Sequence, residues 1–184
     1  MHTGWAACVV ARGSLRAPVI DAREELELLG DPERFLYHRA ADGRRADAER
    51  SIARAKETAK ARAVAALERI IERARGAGHG PIGCTIVATT RVTPASLDDI
   101  LSAHARIHAA EGCFYRDVLR KAADACGLAT RIISPKELDA VAAGALGLKA
   151  PEVAKLVASA GRAVGRPWGK DQKMASLGAW IALA

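Results

Sequence analysis

Two periodicities alternate along this chain, and the points where one gives way to the other mark its elements. Residues 4–12, Gly4-Trp5-Ala6-Ala7-Cys8-Val9-Val10-Ala11-Arg12, form a short apolar run with β-branched residues and predict a strand. From Ala17 to about Leu29, Val19, Ile20, Leu26 and Leu28 are interspersed with acids, which predicts a second strand joined to the first by a turn at Arg12-Gly13-Ser14. Gly30-Asp31-Pro32 is a turn signal, and Phe35-Leu36-Tyr37-His38-Arg39 after it reads as a third strand closed by Asp42-Gly43.

From Asp47 to Arg75 the period becomes helical. Ile52, Ala59, Ala63, Ala66, Leu67, Ile70 and Ala74 recur at steps of three and four, while Arg50, Arg54, Glu57, Arg62, Glu68, Arg69, Glu72 and Arg73 take the other face. Gly76-Ala77-Gly78-His79-Gly80-Pro81 ends this helix, and the apolar run 82–90 predicts a strand buried on both faces. Thr93-Pro94 and the Ser96-to-Asp99 capping pattern open a second helix that runs towards Cys126 with a break at Gly112. Its second piece buries Phe114, Val118, Leu119, Ala122 and Cys126, and Gly127 stops it. Residues 130–134 predict a last strand ended by Pro135; 136–147 and 150–165 predict two small helices before a terminal one that opens after Pro167 and Gly169.

The 184 residues suit one domain, 1–184, and aromatic residues make up only 4%, so its core is built from Ala, Val, Leu and Ile. A net charge of +7 favours polyanionic partners such as nucleic acid, although Arg- and Ala-rich chains also carry such charge with no nucleic-acid role. Cys8, Cys84, Cys113 and Cys126 have neither metal-site nor disulfide-framework spacing and read as buried thiols in a reducing compartment. No apolar run is long enough to span a bilayer and no signal-peptide order opens the chain, so no membrane partner and a cytoplasmic location are expected.

Two stretches carry candidate chemistry. Lys170-Asp171-Gln172-Lys173 places one carboxylate between two lysines at the mouth of the terminal helix, flanked by Trp168 and Trp180. A helix cap accounts for the acid; the lysines add the character of a metal or phosphate site. His104, His108 and Glu111 share one helix face, and a His-x₃-His pair is metal-ligand spacing. The competing reading is a polar face whose imidazoles bond to their neighbours, since no further ligand has an evident spacing. If Glu111 shares a pocket with Asp171, His108 becomes a general base or positioning group. Arg116, Asp117, Arg120 and Lys121 form a charged helix face that is either solvated or a phosphate-tracking stripe. The glycines from Gly76 to Gly80 follow no strand and precede no Gly-Lys-Ser/Thr, so they read as a helix-ending turn. The tryptophans read as packing anchors, with Trp180 also suited to a dimer contact.

The element order β-β-β-α-β-α-β with C-terminal helices resembles the ribonuclease H-like superfamily, and most nearly the RuvC-type Holliday-junction resolvases. That resemblance implies an α/β fold with a mixed five-stranded sheet, helices on both faces, and acids converging on Mg²⁺ or Mn²⁺ for phosphodiester hydrolysis. Asp171 resembles the last-helix acid and Glu111 the middle one, making these two the implied metal ligands. His108, and Glu137 at the end of the last predicted strand, join them as implied catalytic residues, with Arg116, Arg120, Lys170 and Lys173 towards nucleic acid. The first-strand acid has no counterpart between Trp5 and Ala11; Thr3-Gly4-Trp5 resembles the segment that follows it, which implies a start beyond that acid. The expectation is a nuclease-related or catalytically degenerate nucleic-acid-processing protein. Its alternative is a non-catalytic binding or scaffold domain, monomeric or a homodimer, that keeps the fold without the metal site.

Overall fold

The computed structural model describes residues 2–15, 17–43, 45–92 and 96–184. The first two predicted strands form as β1 (Trp5–Ser14) and β2 (Ala17–Glu27), an antiparallel hairpin registered from Trp5 opposite Glu27 to Ser14 opposite Ala17, with one irregularity between Val10 and Ala11. Gly13 closes it at φ +96°, where an added Cβ would stand 2.7 Å from the Ala17 carbonyl oxygen, so the turn admits only glycine.

The predicted third strand is a helix. After a 3-10 turn at Glu33–Phe35, α1 runs from Leu36 to Asp42 and buries Leu36, Tyr37 and Ala40. Those positions fall at i, i+1 and i+4, a helical spacing that a five-residue aromatic window conceals and that the following Ala40-Ala41-Asp42 continues. The long helix α2 (Arg45–Gly76) forms as expected, with Ala59 and Ala63 fully buried and the predicted charged positions exposed. Gly78, at φ +80°, ends it, and the His79 amide donates back to the Ala74 carbonyl.

β3 (Gly83–Val87) pairs in parallel with β4 (Ala129–Ile133). The Thr93-Pro94 part of the predicted helix opening lies outside the described residues, but Ser96 caps α3 (Leu97–Leu101) by accepting the Asp99 amide at 3.1 Å. The expected break at Gly112 is absent. The helix is interrupted instead at Ser102-Ala103, and α4 (His104–Ala125) runs straight through Gly112. An added Cβ at Gly112 would meet the Thr89 methyl at 3.6 Å, so this glycine lies where the loop after β3 passes close to α4. α5 (Leu138–Leu146), α6 (Ala150–Val164) and α7 (Lys170–Ile181) complete the chain.

The mixed five-stranded sheet expected of a ribonuclease H-like domain is not formed. The described residues hold two separate two-stranded ladders, β1–β2 and β3–β4, because one expected strand is α1 and no backbone ladder joins β1 to β3. Helices hold the two ladders together. One core gathers α2, α4 and the β1–β2 hairpin, including Ala6, Leu26, Ala59, Ala63, Tyr115 and Ala122. A second gathers α5, α6 and α7 around Leu138, Val153, Leu177 and the fully buried Trp180. Alternation along the strands feeds both: Cys84, Ile86 and Ile132 turn to the first, Val87 and Ile133 to the second. Gly178 lets α7 lie close on β3, since a Cβ there would meet Val87 Cγ2 at 3.2 Å. Arg23 on β2 fixes the approach to α7 by donating to the carbonyls of Val164 (2.9 Å), Gly165 (3.2 Å) and Pro167.

α2 is also tied to the hairpin by charge. Arg69 and Arg73 both donate to the Glu24 carboxylate of β2. Burial works against that carboxylate, but the hydrogen bonds and charges of Arg73 and Arg69 outweigh it and hold Glu24 below its ordinary value of 4.5. A carboxyl depressed in the folded state contributes stability that is fully present above its unfolded value and is lost as pH falls through the folded one. Urea unfolding of the parent and of Glu24→Gln should therefore differ most at neutral pH and converge as pH drops below 4.5. A constant difference across that range would contradict this linkage.

Candidate metal centre

α1 and α4 bring three imidazoles together. Burial of Leu36, Tyr37 and Ala40 fixes the rotation of α1, and Tyr37 meets the Phe114 ring edge-on at 6.5 Å. That rotation leaves His38 half-buried and beside the first two turns of α4, where His104 and His108 stand exposed. Ring centroids lie 5.1 Å apart for His38 and His104, 4.7 Å for His38 and His108, and 4.4 Å for His104 and His108. The Nε2 atoms of His104 and His108 are 2.9 Å apart, and ligand-capable nitrogens of all three residues fall within 4.8 Å of one another. Two nitrogens on one tetrahedral zinc, each about 2.0–2.1 Å from it, are separated by roughly 3.3 Å, which lies between those spacings.

Behind this cluster sits Glu111, only 2% exposed, whose Oε1 accepts a hydrogen bond from His38 Nδ1 at 2.8 Å. The bond holds the Nδ1–H tautomer and leaves His38 Nε2 with a free lone pair, the arrangement in which a carboxylate orients a metal-ligating histidine. A carboxylate so enclosed is costly unless a positive charge faces it. Its influence reaches the neighbouring phenols. Burial first, and then the Glu111 charge, pushes Tyr115 well above the ordinary tyrosine range; burial, Cys113, Asp117 and Glu111 raise Tyr37. Both stay protonated, and Tyr115 donates to the Arg34 carbonyl at 2.6 Å, pinning the 3-10 turn before α1 against α4.

The other residues singled out in the sequence have different surroundings. Asp171, in the first turn of α7, pairs with His2 Nε2 at 2.8 Å, and His2 stacks on Trp5 at 4.3 Å. The N-terminus of α7 is capped by Gln172, whose Oε1 accepts the Gly169 amide at 3.0 Å. Glu137 is exposed at the start of α5. Among the described residues, no hydrogen bond or ion pair joins Glu111, Glu137 and Asp171 to one another. Arg120 pairs with Asp124 at 3.1 Å, and Lys170 and Lys173 are exposed on either side of Asp171. The four cysteines are free thiols. Among the described residues no helix is long and apolar enough to cross a membrane. No family model, curated protein or solved structure matches this chain.

Sequence reasoning found His104, His108 and Glu111 as one face but missed His38. It lies 73 positions before Glu111 and was assigned to a strand, so no spacing signal connected them. The helical run of Leu36, Tyr37 and Ala40 was the one local clue.

Arg116 also has a role the charge pattern did not reveal. Its side chain is 11% exposed and turned inward, donating to the carbonyls of Thr89 at 3.0 Å and Arg91 at 2.6 Å. It braces the segment after β3 against α4. Arg116→Ala should lower the unfolding free energy by about 1–3 kcal/mol, because two carbonyls lose charge-assisted donors; urea denaturation measures this, and an unchanged midpoint would show that the brace contributes nothing.

Proposed function

We propose that this protein binds a divalent transition metal through His38, His104 and His108, and that water on the open side of that metal hydrolyses an anionic ester. The observation that carries this reading is the convergence of three imidazoles, one oriented by the buried Glu111 carboxylate. Nitrogen donors favour Zn²⁺, Cu²⁺, Ni²⁺ or Fe²⁺ over Mg²⁺, which prefers oxygen. A three-histidine set leaves a fourth tetrahedral position for water, and bound zinc brings that water's pKa near neutrality. The net charge of +7 favours an anionic substrate such as a phosphate ester.

A second reading keeps the nuclease-related role, with Glu111 and Asp171 on Mg²⁺ or Mn²⁺ and nucleic acid as partner. In its favour stand the exposed Lys170 and Lys173 beside Asp171 at the start of α7. Its oxygen ligands have different neighbours, whereas the three imidazoles already meet, so the histidine site is the stronger reading.

Titration with Co²⁺, followed by its visible absorption and competed with Zn²⁺, tests the first reading. The parent should bind one equivalent. His38→Ala, His104→Ala and His108→Ala should each abolish tight binding, and Glu111→Gln should weaken it about 10- to 100-fold. Hydrolysis of bis(p-nitrophenyl) phosphate by the zinc-loaded protein should disappear in the same histidine variants. Binding that survives His38→Ala would sink the assignment. Mn²⁺-dependent cleavage of branched DNA or RNA–DNA hybrid that is lost in Asp171→Asn and kept in the histidine variants would install the second reading.

A further inference from the structure

Between the two ladders lies a groove of about 490 Å³. Its walls are β1 from Ala6 to Gly13 and all of β3; α2 contributes Leu67, Ile70 and Ile71, and α7 contributes Met174 and Ala179. β1 pairs only with β2 and β3 only with β4 in these ladders, so each has an edge that no strand of the described residues covers, and residues of both line this space. The two cores lie on opposite sides of β3 and β4, which places the groove within the sheet layer and between the layers of helices. In a layered α/β structure the sheet layer is where a further strand would lie.

We infer that the groove binds, by backbone pairing to β1 and β3, a short extended segment of small apolar residues from another polypeptide. This goes beyond the histidine site and uses none of its residues.

Three features select that occupant. Of the ionisable groups on the groove wall, Arg12 pairs with Asp21 at 2.9 Å and Asp171 with His2 at 2.8 Å, which leaves the exposed His79 imidazole on mainly apolar walls. Burial pushes the Cys8 thiol up to about 12 and that of Cys84 up to about 11, in keeping with surroundings that disfavour ions. The third is backbone: β1 and β3 each have one edge that pairs with no strand in these ladders. A peptide backbone answers both the apolar walls and the unpaired polar edges, as when a strand is added to an exposed sheet. The volume limits side-chain size. At a rise of about 3.3 Å, a strand spacing of about 4.8 Å and a layer depth of about 10 Å, each residue occupies roughly 160 Å³, so the groove takes about three average residues or a few more alanines, glycines and valines.

The test uses the full chain and the peptide acetyl-Lys-Val-Ala-Val-Ala-Val-Lys-amide, with calorimetry for affinity and amide hydrogen exchange for location. The peptide should bind and slow exchange in both β1 and β3. N-methylation at alternate residues should weaken binding at least about tenfold by removing donors. The inference is overturned by absence of binding, by equal binding of the N-methylated peptide, or by protection of only one strand. It is equally overturned if decanoate binds as tightly, which would make the groove a site for small apolar molecules, or if the protein self-associates and protects both strands without peptide, which would make the occupant a second copy.

Discussion

The packing of α7 across β1 and β3 is the constraint on which the architecture rests. Among the described residues no ladder joins the two halves of the β structure, so their relation depends on side chains from helices that touch both. Trp180, fully buried, and Gly178, close against Val87, let one short helix do this. On the other side the alanine face of α2 lets α4 approach closely, and the strands alternate their side chains between these two layers. Hydrophobic burial therefore takes the place of the backbone hydrogen bonds that a continuous sheet would supply.

The same close packing explains the histidine cluster. α4 carries His104, His108 and Glu111 along one face, and α1 is pressed onto that face by Leu36, Tyr37 and the Tyr37–Phe114 contact. Glu111 is excluded from water by this packing and finds His38. A buried acid thus orients the one imidazole that meets an exposed, mutually bonded pair edge-on.

Much of this was legible in the chain, for reasons that differ by element. The long helix, the β1–β2 hairpin and the β3 and β4 runs are set by extended periodic patterns or by a glycine-only turn, and local sequence determines those directly. α1 was misread because seven residues barely complete two turns, and its aromatics favour strands when viewed alone. The sheet was misjudged for another reason: whether two strands pair depends on what lies between them in space, which neither strand's sequence records. Likewise His104 and His108 were visible as a pair, since helical spacing is local, while His38 joins them only through tertiary packing. Arg116 looked like surface charge because a sequence cannot show that a guanidinium turns inward to two carbonyls.

Arg23 gives the hairpin a reach beyond its own two strands. It stands opposite Val9 in the register, and its guanidinium gathers the last carbonyl of α6 and two from the link to α7. A slip of one residue along β2 would turn every side chain to the opposite face and carry this fork away from the helices. The single irregularity between Val10 and Ala11 is therefore a matter of long-range alignment: it helps set where the α7 entrance, with Lys170, Asp171 and Lys173, comes to lie, more than a hundred residues along the chain.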